Sequence, residues 1–236
     1  MDKGIIFYTD NKIEEPIRSV VWKHIEQSEL PVVSVSLNKP IPFGRNIIFA
    51  GERGYLTYLR QIIVALSFST ADYVFFCEND VLYPKDHFAF NPPRDGVFYY
   101  NKNVWRWMYG SDKAVTYDRM LPLSCLCANR KLALGNYRLR LMEAMKAGSD
   151  KFESREPALA RKWGYEPGTK RRKRGGLTDD DFDTWSSETP VIDIRHTGTF
   201  SPPKCTLDSF KHAPVNWREL PAEDIPGWNL KGLFNL

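Results

Sequence analysis

The sequence predicts an α/β domain with a mostly parallel sheet flanked by helices. Strand-like apolar runs alternate with segments of helical periodicity over the first third of the 236 residues. Residues 73–77, Tyr-Val-Phe-Phe-Cys, are continuously apolar, as expected of a central strand covered on both faces. The composition agrees with a globular domain, since 42% of the residues are hydrophobic and 26% are charged.

The first half of the chain has the order β-α-β-α-β. Because helices join its successive strands, these strands are expected to be parallel, with their carboxyl ends at one edge of the sheet. Residues 38–45 contain Pro and Gly and are predicted as a loop. The other predicted elements are strands over 4–8, 32–37 and 72–77 and helices over 16–28 and 54–69.

The second half of the chain is less regular. Residues 201–236 are rich in Pro and Trp and are predicted as an irregular tail packed on a single domain, 1–200. The predicted elements before the tail are strands over 96–100, 124–128 and 191–195, helices over 129–147 and 153–162, and a strongly polar stretch over 164–183.

Charge and cysteine content suggest an intracellular protein. The net charge of +4 permits a polyanionic partner without requiring one. No signal-peptide pattern opens the chain, and the longest apolar stretch, 61–68, is too short to span a bilayer. We therefore expect a cytoplasmic protein, in the host cytoplasm if the source is viral. The cysteines lack zinc-ribbon spacing and are expected to be reduced thiols; they are Cys77, Cys125, Cys127 and Cys205.

Two carboxylates follow the central strand, in Glu78-Asn79-Asp80. Residues i and i+2 of a strand point the same way, so Glu78 and Asp80 could share one hard cation. The polar turn 9–11 and the loop segment 44–46 are expected to meet them at the same sheet edge. A solvated turn is the alternative interpretation, because Asn-Asp pairs often leave strands.

Sequence motifs of several other enzyme classes are missing. There is no Gly-x-Gly-x-x-Gly after the first strand, no Gly-Lys-Ser/Thr loop and no Gly-x-Ser-x-Gly elbow. This disfavours a dinucleotide oxidoreductase, a P-loop enzyme and a serine hydrolase. A metal at the acid pair would instead orient a diphosphate and act as a Lewis acid toward a departing phosphate.

Residues 45–46, the helix over 54–69 and the run 71–84 together resemble the nucleotide-sugar half of GT-A glycosyltransferases. In that fold an Asp-x-Asp-type motif ends a strand, and here Glu78 replaces its first acid. The resemblance implies that Asp80 ligates Mn2+ or Mg2+ bridging the donor diphosphate, while Glu78 touches the metal or the donor ribose. It also implies a nucleotide-sugar half over 1–100 and an acceptor half over 101–200.

The same resemblance implies further site residues. A late histidine often completes the metal shell, and His196 ends the strand predicted over 191–195. Taken alone, such a histidine is more often a hydrogen-bonded core or surface residue. For Thr9 and Asp10, a simple Asx turn is the alternative. The implied donor contacts are Thr9, Asp10, Arg45, Asn46, Glu78 and Asn79.

More narrowly, the segments 8–11, 43–46 and 193–196 resemble small bacterial and phage glycosyltransferases. Some of these add sugars to hydroxymethylated pyrimidines in DNA. The expected reaction is therefore sugar transfer from a nucleotide-sugar, expected to be a UDP-sugar, to a 5-hydroxymethylpyrimidine in DNA. A saccharide or lipid-linked acceptor is the alternative, and a nucleic-acid-binding module is the alternative outside enzymes.

An inverting reaction would need a carboxylate that deprotonates the acceptor hydroxyl. Asp180 and Asp181 follow the acceptor loop, where such a base usually opens a helix, although a helix N-cap is an alternative role. Glu166 and Glu188 are alternative bases, and a retaining reaction would need none.

A basic run and two tryptophans are the candidate acceptor contacts. Consecutive cations suit a phosphate backbone, and alternating tryptophans can stack on a base or a sugar. A solvated loop and aromatic core packing are the respective alternatives. The candidates are Lys170, Arg171, Arg172, Arg174, Trp105 and Trp107.

Overall fold

The computed structural model describes residues 1–146, 166–168, 181–199 and 202–236. The helices in these residues are α1 (Ile17–Glu26), α2 (Tyr55–Phe68), α3 (Arg130–Lys146) and α4 (Leu230–Phe234). The strands are β1 (Lys3–Thr9), β2 (Val32–Leu37), β3 (Arg45–Phe49), β4 (Tyr73–Cys77), β5 (Val81–Leu82), β6 (Val97–Asn101), β7 (Val104–Met108), β8 (Lys113–Thr116), β9 (Leu126–Asn129), β10 (Asp181–Trp185), β11 (Val191–Arg195) and β12 (Arg218–Pro221).

A seven-stranded sheet forms the centre of the protein, in the order β10-β6-β9-β4-β1-β2-β3. All of its neighbouring strands are parallel except for β9, which is antiparallel to both β4 and β6. The predicted α/β fold with a mostly parallel sheet is therefore confirmed. Every residue of β4 and β6 is buried, which explains the continuous apolar sequence of β4 and the apolar run that precedes Asn101 in β6.

Two hydrophobic clusters cover the two faces of this sheet. On one face α2 and α3 pack over Phe76, Phe98 and their neighbours. On the other face α1 and the second sheet pack over Phe75 and Tyr99. Phe75 and Phe76 are both completely buried, and burial of each side chain stabilises the fold by about 1.5–3 kcal/mol.

The second sheet, which was not predicted, has five strands in the order β12-β8-β7-β11-β5. Its pairs are antiparallel apart from β11 with β7. Strands of the two sheets alternate along the chain, since β5 precedes β6 and β9 precedes β11. The tail also contributes β12 and α4 and is thus more regular than expected.

The predicted loop over 38–45 does not extend to the ligand edge of the sheet, because the strand β3 begins at Arg45. Gly44 has a φ of +58°, and a Cβ placed there would lie 2.6 Å from both the Cβ and the carbonyl oxygen of Val32. Only glycine fits this close approach without strain. The turn at Gly44 leads directly into β3, which pairs in parallel with β2.

Candidate active site

The carboxyl ends of β1 and β4 create a crevice at the centre of the sheet. β2 and β3 extend the sheet on one side of β1, whereas β4 lies on the other side, so the strand order reverses between β1 and β4. Ligands of open α/β sheets bind at such a switch point. The amide of Asn79 donates a hydrogen bond to Thr9 Oγ1 at 2.8 Å, which ties the two strand ends together.

Glu78 lies on the α2 side of this crevice. The Tyr8 hydroxyl donates a hydrogen bond to Glu78 Oε1 at 2.8 Å, and the Glu78 backbone N–H donates to the Tyr83 hydroxyl. Desolvation, reinforced by the nearby Asp80 carboxylate, raises the pKa of Glu78 to about 8. Glu78 is therefore a poor permanent anion as long as no cation is bound beside it.

Asp80 and His196 meet across the crevice although 116 positions separate them in the sequence. The strand β11 pairs with β5, and the Ile194 N–H donates to the Asp80 carbonyl oxygen at 2.8 Å. This pairing places His196 Nε2 3.6 Å from Asp80 Oδ2. Both side chains are partly exposed, so the crevice remains open to a ligand. The Gly198 N–H donates to His196 Nδ1 at 3.2 Å and orients the ring.

The chemistry of this pair suits a divalent cation. A carboxylate oxygen and an imidazole nitrogen are ligands that Mn2+ accepts readily. Among the described residues, no three His, Cys, Asp or Glu side chains are grouped closely enough to hold a metal. Glu78 therefore does not complete a three-residue group with Asp80 and His196 in this structure. Two protein ligands would leave coordination positions for oxygens of a substrate.

Asp10, at the end of β1, is held by a partner that the sequence did not reveal. Arg53 Nε lies 2.7 Å from Asp10 Oδ2, and the Lys12 N–H donates to Asp10 Oδ1. Arg53 lies just before the first turn of α2. From the same helix, the Gln61 side chain donates a hydrogen bond to the Thr9 carbonyl oxygen. An arginine between Gly51 and Gly54 is a weak sequence signal, and only the fold brings it to this edge.

A buried charge cluster lies behind the acid pair. Asp193 accepts a hydrogen bond from Arg106 Nε at 3.0 Å and another from Arg195. Burial alone would lower the pKa of Arg195, but the carboxylates of Asp193, Asp80 and Glu78 raise it above its ordinary value. Arg195 therefore stays charged beside the crevice. No sequence motif points to this cluster, because charged residues within short strands have no characteristic spacing.

Arg45 and Asn46 are not brought to the crevice. Arg45 pairs with Val33 at the start of β3, near the amino end of the strand, and its guanidinium lies over the Phe68 ring. The Asn46 side chain makes hydrogen bonds with Ser34 and Ser36 and supports the β2–β3 connection. The expected meeting of residues 44–46 with the acid pair is therefore not seen.

Trp105 and Trp107 belong to the core rather than to an acceptor surface. Trp107 is completely buried against Tyr109 and Phe234, and Trp105 is 6% exposed with Arg218 over its ring. Neither ring offers a free face to a base or a sugar, so the predicted stacking role is corrected. Their alternation reflects the strand period of β7, with both side chains on its core face.

The predicted catalytic bases lie in different parts of the structure. Asp181 begins β10 opposite Val97, at the sheet edge away from Glu78, and the expected helix start is wrong for this residue. Glu166 is half-buried, and its neighbour Pro167 accepts a hydrogen bond from Tyr100. Burial raises the pKa of Tyr137, and the Glu166 and Glu78 carboxylates add smaller effects in the same direction. Glu188 is exposed.

Several predicted residues and one predicted helix fall outside the described part of the chain. They are Asp180, Lys170, Arg171, Arg172, Arg174 and the helix expected over 153–162. Within the described residues, no helix is both long and apolar enough to cross a membrane.

Comparisons with known proteins give structural likeness without sequence relatives. No protein-family model and no curated protein matches the chain. A glycosyltransferase involved in the glycosylation of the major capsid of PBCV-1 is 9% identical, with a TM-score of 0.46 over 82% of this chain and 93% of that one. TarS 1-349 of S. aureus, solved in complex with UDP-GlcNAc, is 11% identical, with a TM-score of 0.43 over 85% of this chain and 60% of that one.

A third structure carries a different name. The nucleotidyl transferase of Methanothermobacter thermautotroptrophicus is 8% identical, with a TM-score of 0.36 over 62% of this chain and 83% of that one. Because all three TM-scores are below 0.5, these likenesses decide neither the reaction nor the substrate.

Proposed function

We propose that the protein is a metal-dependent glycosyltransferase that uses a nucleotide-sugar, with a UDP-sugar as the expected donor. The observation that carries the proposal is the approach of His196 to Asp80 at the switch point of a mostly parallel sheet. The GT-A resemblance of the sequence implies a metal at these same two residues.

Different residues of the crevice would bind different parts of such a donor. Asp80 and His196 would hold Mn2+ or Mg2+, which would neutralise the charge of the diphosphate. Thr9 ends β1 and Asp10 follows it, where the nucleoside would lie, with Arg53 fixing the Asp10 carboxylate. Glu78, whose carboxyl faces Tyr8, would accept a hydrogen bond from the ribose rather than join the metal shell.

We keep Glu166 as the base candidate among the described residues. It acts electrostatically on the same tyrosine ring as Glu78, whereas Asp181 lies at the opposite sheet edge. If the reaction is inverting, Glu166 would take the proton of the acceptor hydroxyl. Asp180 remains a prediction, because it lies outside the described residues.

The acceptor remains the least constrained part of the proposal. A 5-hydroxymethylpyrimidine in DNA stays the expectation from sequence resemblance and from the basic run, but buried Trp105 and Trp107 no longer support it. Saccharide and lipid-linked acceptors are therefore tested beside it.

A thermal-shift titration tests the donor site. UDP at about 100 times its Kd should stabilise the protein by about 2.7 kcal/mol, and only when Mn2+ is present. Asp80→Asn and His196→Gln should each lose this response, whereas Asp224→Asn, which changes an exposed aspartate, should keep it. A metal-independent response, or none to UDP, GDP, TDP or CMP, contradicts the proposal.

A transfer assay tests the reaction itself. Labelled UDP-glucose is offered with hydroxymethylcytosine DNA, plain DNA, a saccharide panel and lipid-linked acceptors. Glu166→Gln should lower kcat by about 100-fold or more if Glu166 is the base, with nucleotide binding unchanged. Tight, salt-sensitive DNA binding that neither UDP nor Mn2+ affects would favour a nucleic-acid-binding module instead.

A further inference from the structure

The hydroxyl of Tyr8 holds the carboxyl group of Glu78, and the register of the sheet brings the two residues together. β1 and β4 run in parallel with Phe7 opposite Cys77, so Tyr8 and Glu78 are the next neighbours along the two chains. Side chains alternate between the faces of a sheet, and Tyr8 packs in the cluster beneath α2 and α3. The hydrogen bond from the Tyr8 hydroxyl to Glu78 Oε1, at 2.8 Å, therefore forms on that face.

Neither partner of this hydrogen bond can turn away freely. Tyr8 is 6% exposed, and its ring meets the Tyr58 ring edge-on with centroids 5.5 Å apart. The backbone of Glu78 is held as well, because its N–H donates to the hydroxyl of the completely buried Tyr83. The Glu78 carboxyl could turn to another partner only by giving up the Tyr8 hydrogen bond, and hydrogen bonds to a charged group are among the stronger ones.

Asp80 and His196 are held by a different layer of the protein. The Asp80 carbonyl oxygen accepts a hydrogen bond from Ile194 in β11, a strand of the second sheet, which packs on the face opposite α2. The described part of the chain offers no third His, Cys, Asp or Glu side chain close enough to hold a metal together with this pair. A cation there would meet one carboxylate and one imidazole nitrogen from the protein.

The balance of oxygen and nitrogen ligands influences which divalent cation a site prefers. Mg2+ takes oxygen ligands in near-ideal octahedral geometry, whereas imidazole nitrogen suits transition metals, and Mn2+ accepts both. One carboxylate with one imidazole therefore favours Mn2+ over Mg2+. A second carboxylate, from Glu78, would supply a further oxygen ligand of the kind that Mg2+ prefers and would reduce this difference.

We infer that Tyr8 determines the metal preference of the candidate active site. Tyr8 is a positioning residue: it holds Glu78 beneath α2 and so keeps a second carboxylate out of the metal shell, and the site selects Mn2+ over Mg2+. The inference rests on the proposed function for the presence of a metal. It goes further by naming the cation and the residue that selects it.

Calorimetric titration of the full chain with MnCl2 and with MgCl2, in the absence of nucleotide, tests the inference. The wild type should bind Mn2+ more tightly than Mg2+. Tyr8→Phe keeps the ring and removes the hydroxyl, so Glu78 becomes available to the cation. Mg2+ should then bind about 10-fold more tightly, the equivalent of one hydrogen bond to a charged group. Mn2+, which already accepts the imidazole, should gain less, so the ratio of the two affinities should fall.

Two further variants separate this effect from a loss of structural support. Tyr8→Phe/Glu78→Gln should restore the wild-type ratio, because the released side chain then carries no charge. Tyr73→Phe removes a hydrogen bond of the same kind, from Tyr73 to Asp95, at the start of β4, and should bind both cations like the wild type. Thermal unfolding should show that all variants are folded.

The inference is overturned if Tyr8→Phe leaves the ratio of the two affinities unchanged, or if it weakens the binding of both cations equally, as a merely structural role would. It is also overturned if the double variant keeps the changed ratio. These outcomes leave the proposed function intact as long as the wild type binds Mn2+ and Asp80→Asn abolishes this binding. A wild type that binds neither cation contradicts both the proposed metal dependence and the role of Tyr8.

Discussion

His87→Phe is expected to remove a pH dependence of stability that the fold builds into its aromatic core. His87 is completely buried, with its ring 5.0–5.3 Å from those of Phe75, Tyr83 and Phe88. Its Nδ1 lies 3.1 Å from the amide nitrogen of Asn101. Since an amide nitrogen only donates, Nδ1 is the acceptor and the ring is neutral.

The size of the effect follows from the change in the pKa of His87 on folding. Desolvation lowers the pKa of His87 to about 3 in the folded state, against about 6.5 in the unfolded chain. Between these values only the unfolded chain binds the proton, so stability falls as the pH falls below about 6.5. At about pH 5 this single group makes the protein about 2 kcal/mol less stable than at about pH 7.5.

Glu78 makes the comparison with a variant necessary. Its pKa is raised to about 8, so between about 4.5 and 8 the folded state binds the proton and stability falls as the pH rises. The two slopes oppose each other in the wild type. Urea unfolding of the wild type and His87→Phe at both pH values isolates His87, because Glu78 contributes equally to both proteins.

On going from pH 7.5 to pH 5, the free energy of unfolding of His87→Phe should rise by about 2 kcal/mol relative to that of the wild type. A constant offset from the lost Asn101 hydrogen bond does not affect this difference. Phe88→Leu is the control, because it alters the same cluster without a titrating group and should shift stability equally at both pH values. An unchanged difference between wild type and His87→Phe would show that the folded protein protonates His87.

Three glycines give further predictions. Gly44→Ala should destabilise the protein by at least about 2 kcal/mol in urea unfolding, because its Cβ would meet Val32 at 2.6 Å in a positive-φ turn. Gly96→Ala, with no atom within 4 Å of the added Cβ, should be nearly neutral by the same measurement. Gly198→Ala would place a Cβ 3.1 Å from the His196 ring and should weaken Mn2+ binding about 10-fold or more in calorimetry, without loss of fold.

The sequence predicts the position of a residue well where a buried apolar strand fixes that position. The bounds of β2 and β11 were predicted correctly, because each is a short apolar run between polar segments. His196 was proposed from the resemblance to GT-A glycosyltransferases, and it directly follows the buried strand β11. Asp80 was found because acids after a central strand must lie at the ligand edge of a parallel sheet.

The sequence was insufficient wherever long-range pairing gives a residue its role. β5 has two residues, too few for any periodic signal, and it is a strand only because β11 pairs with it. The alternating spacing of the tryptophans in β7 is equally compatible with a stacking surface and with a buried strand face. Burial separates the two, and burial depends on α4, which lies at the end of the chain.

The second sheet contributes to the candidate active site. His196 reaches Asp80 because β11 runs antiparallel to β5, and the bond from Ile194 to the Asp80 carbonyl fixes their register. A slip of one residue would turn His196 to the other face of its strand. The same strand carries Asp193, which holds Arg106 and Arg195 behind the crevice. One short strand thus sets both the proposed metal ligand and the charge beside it, so the site can form only after the two sheets have packed together.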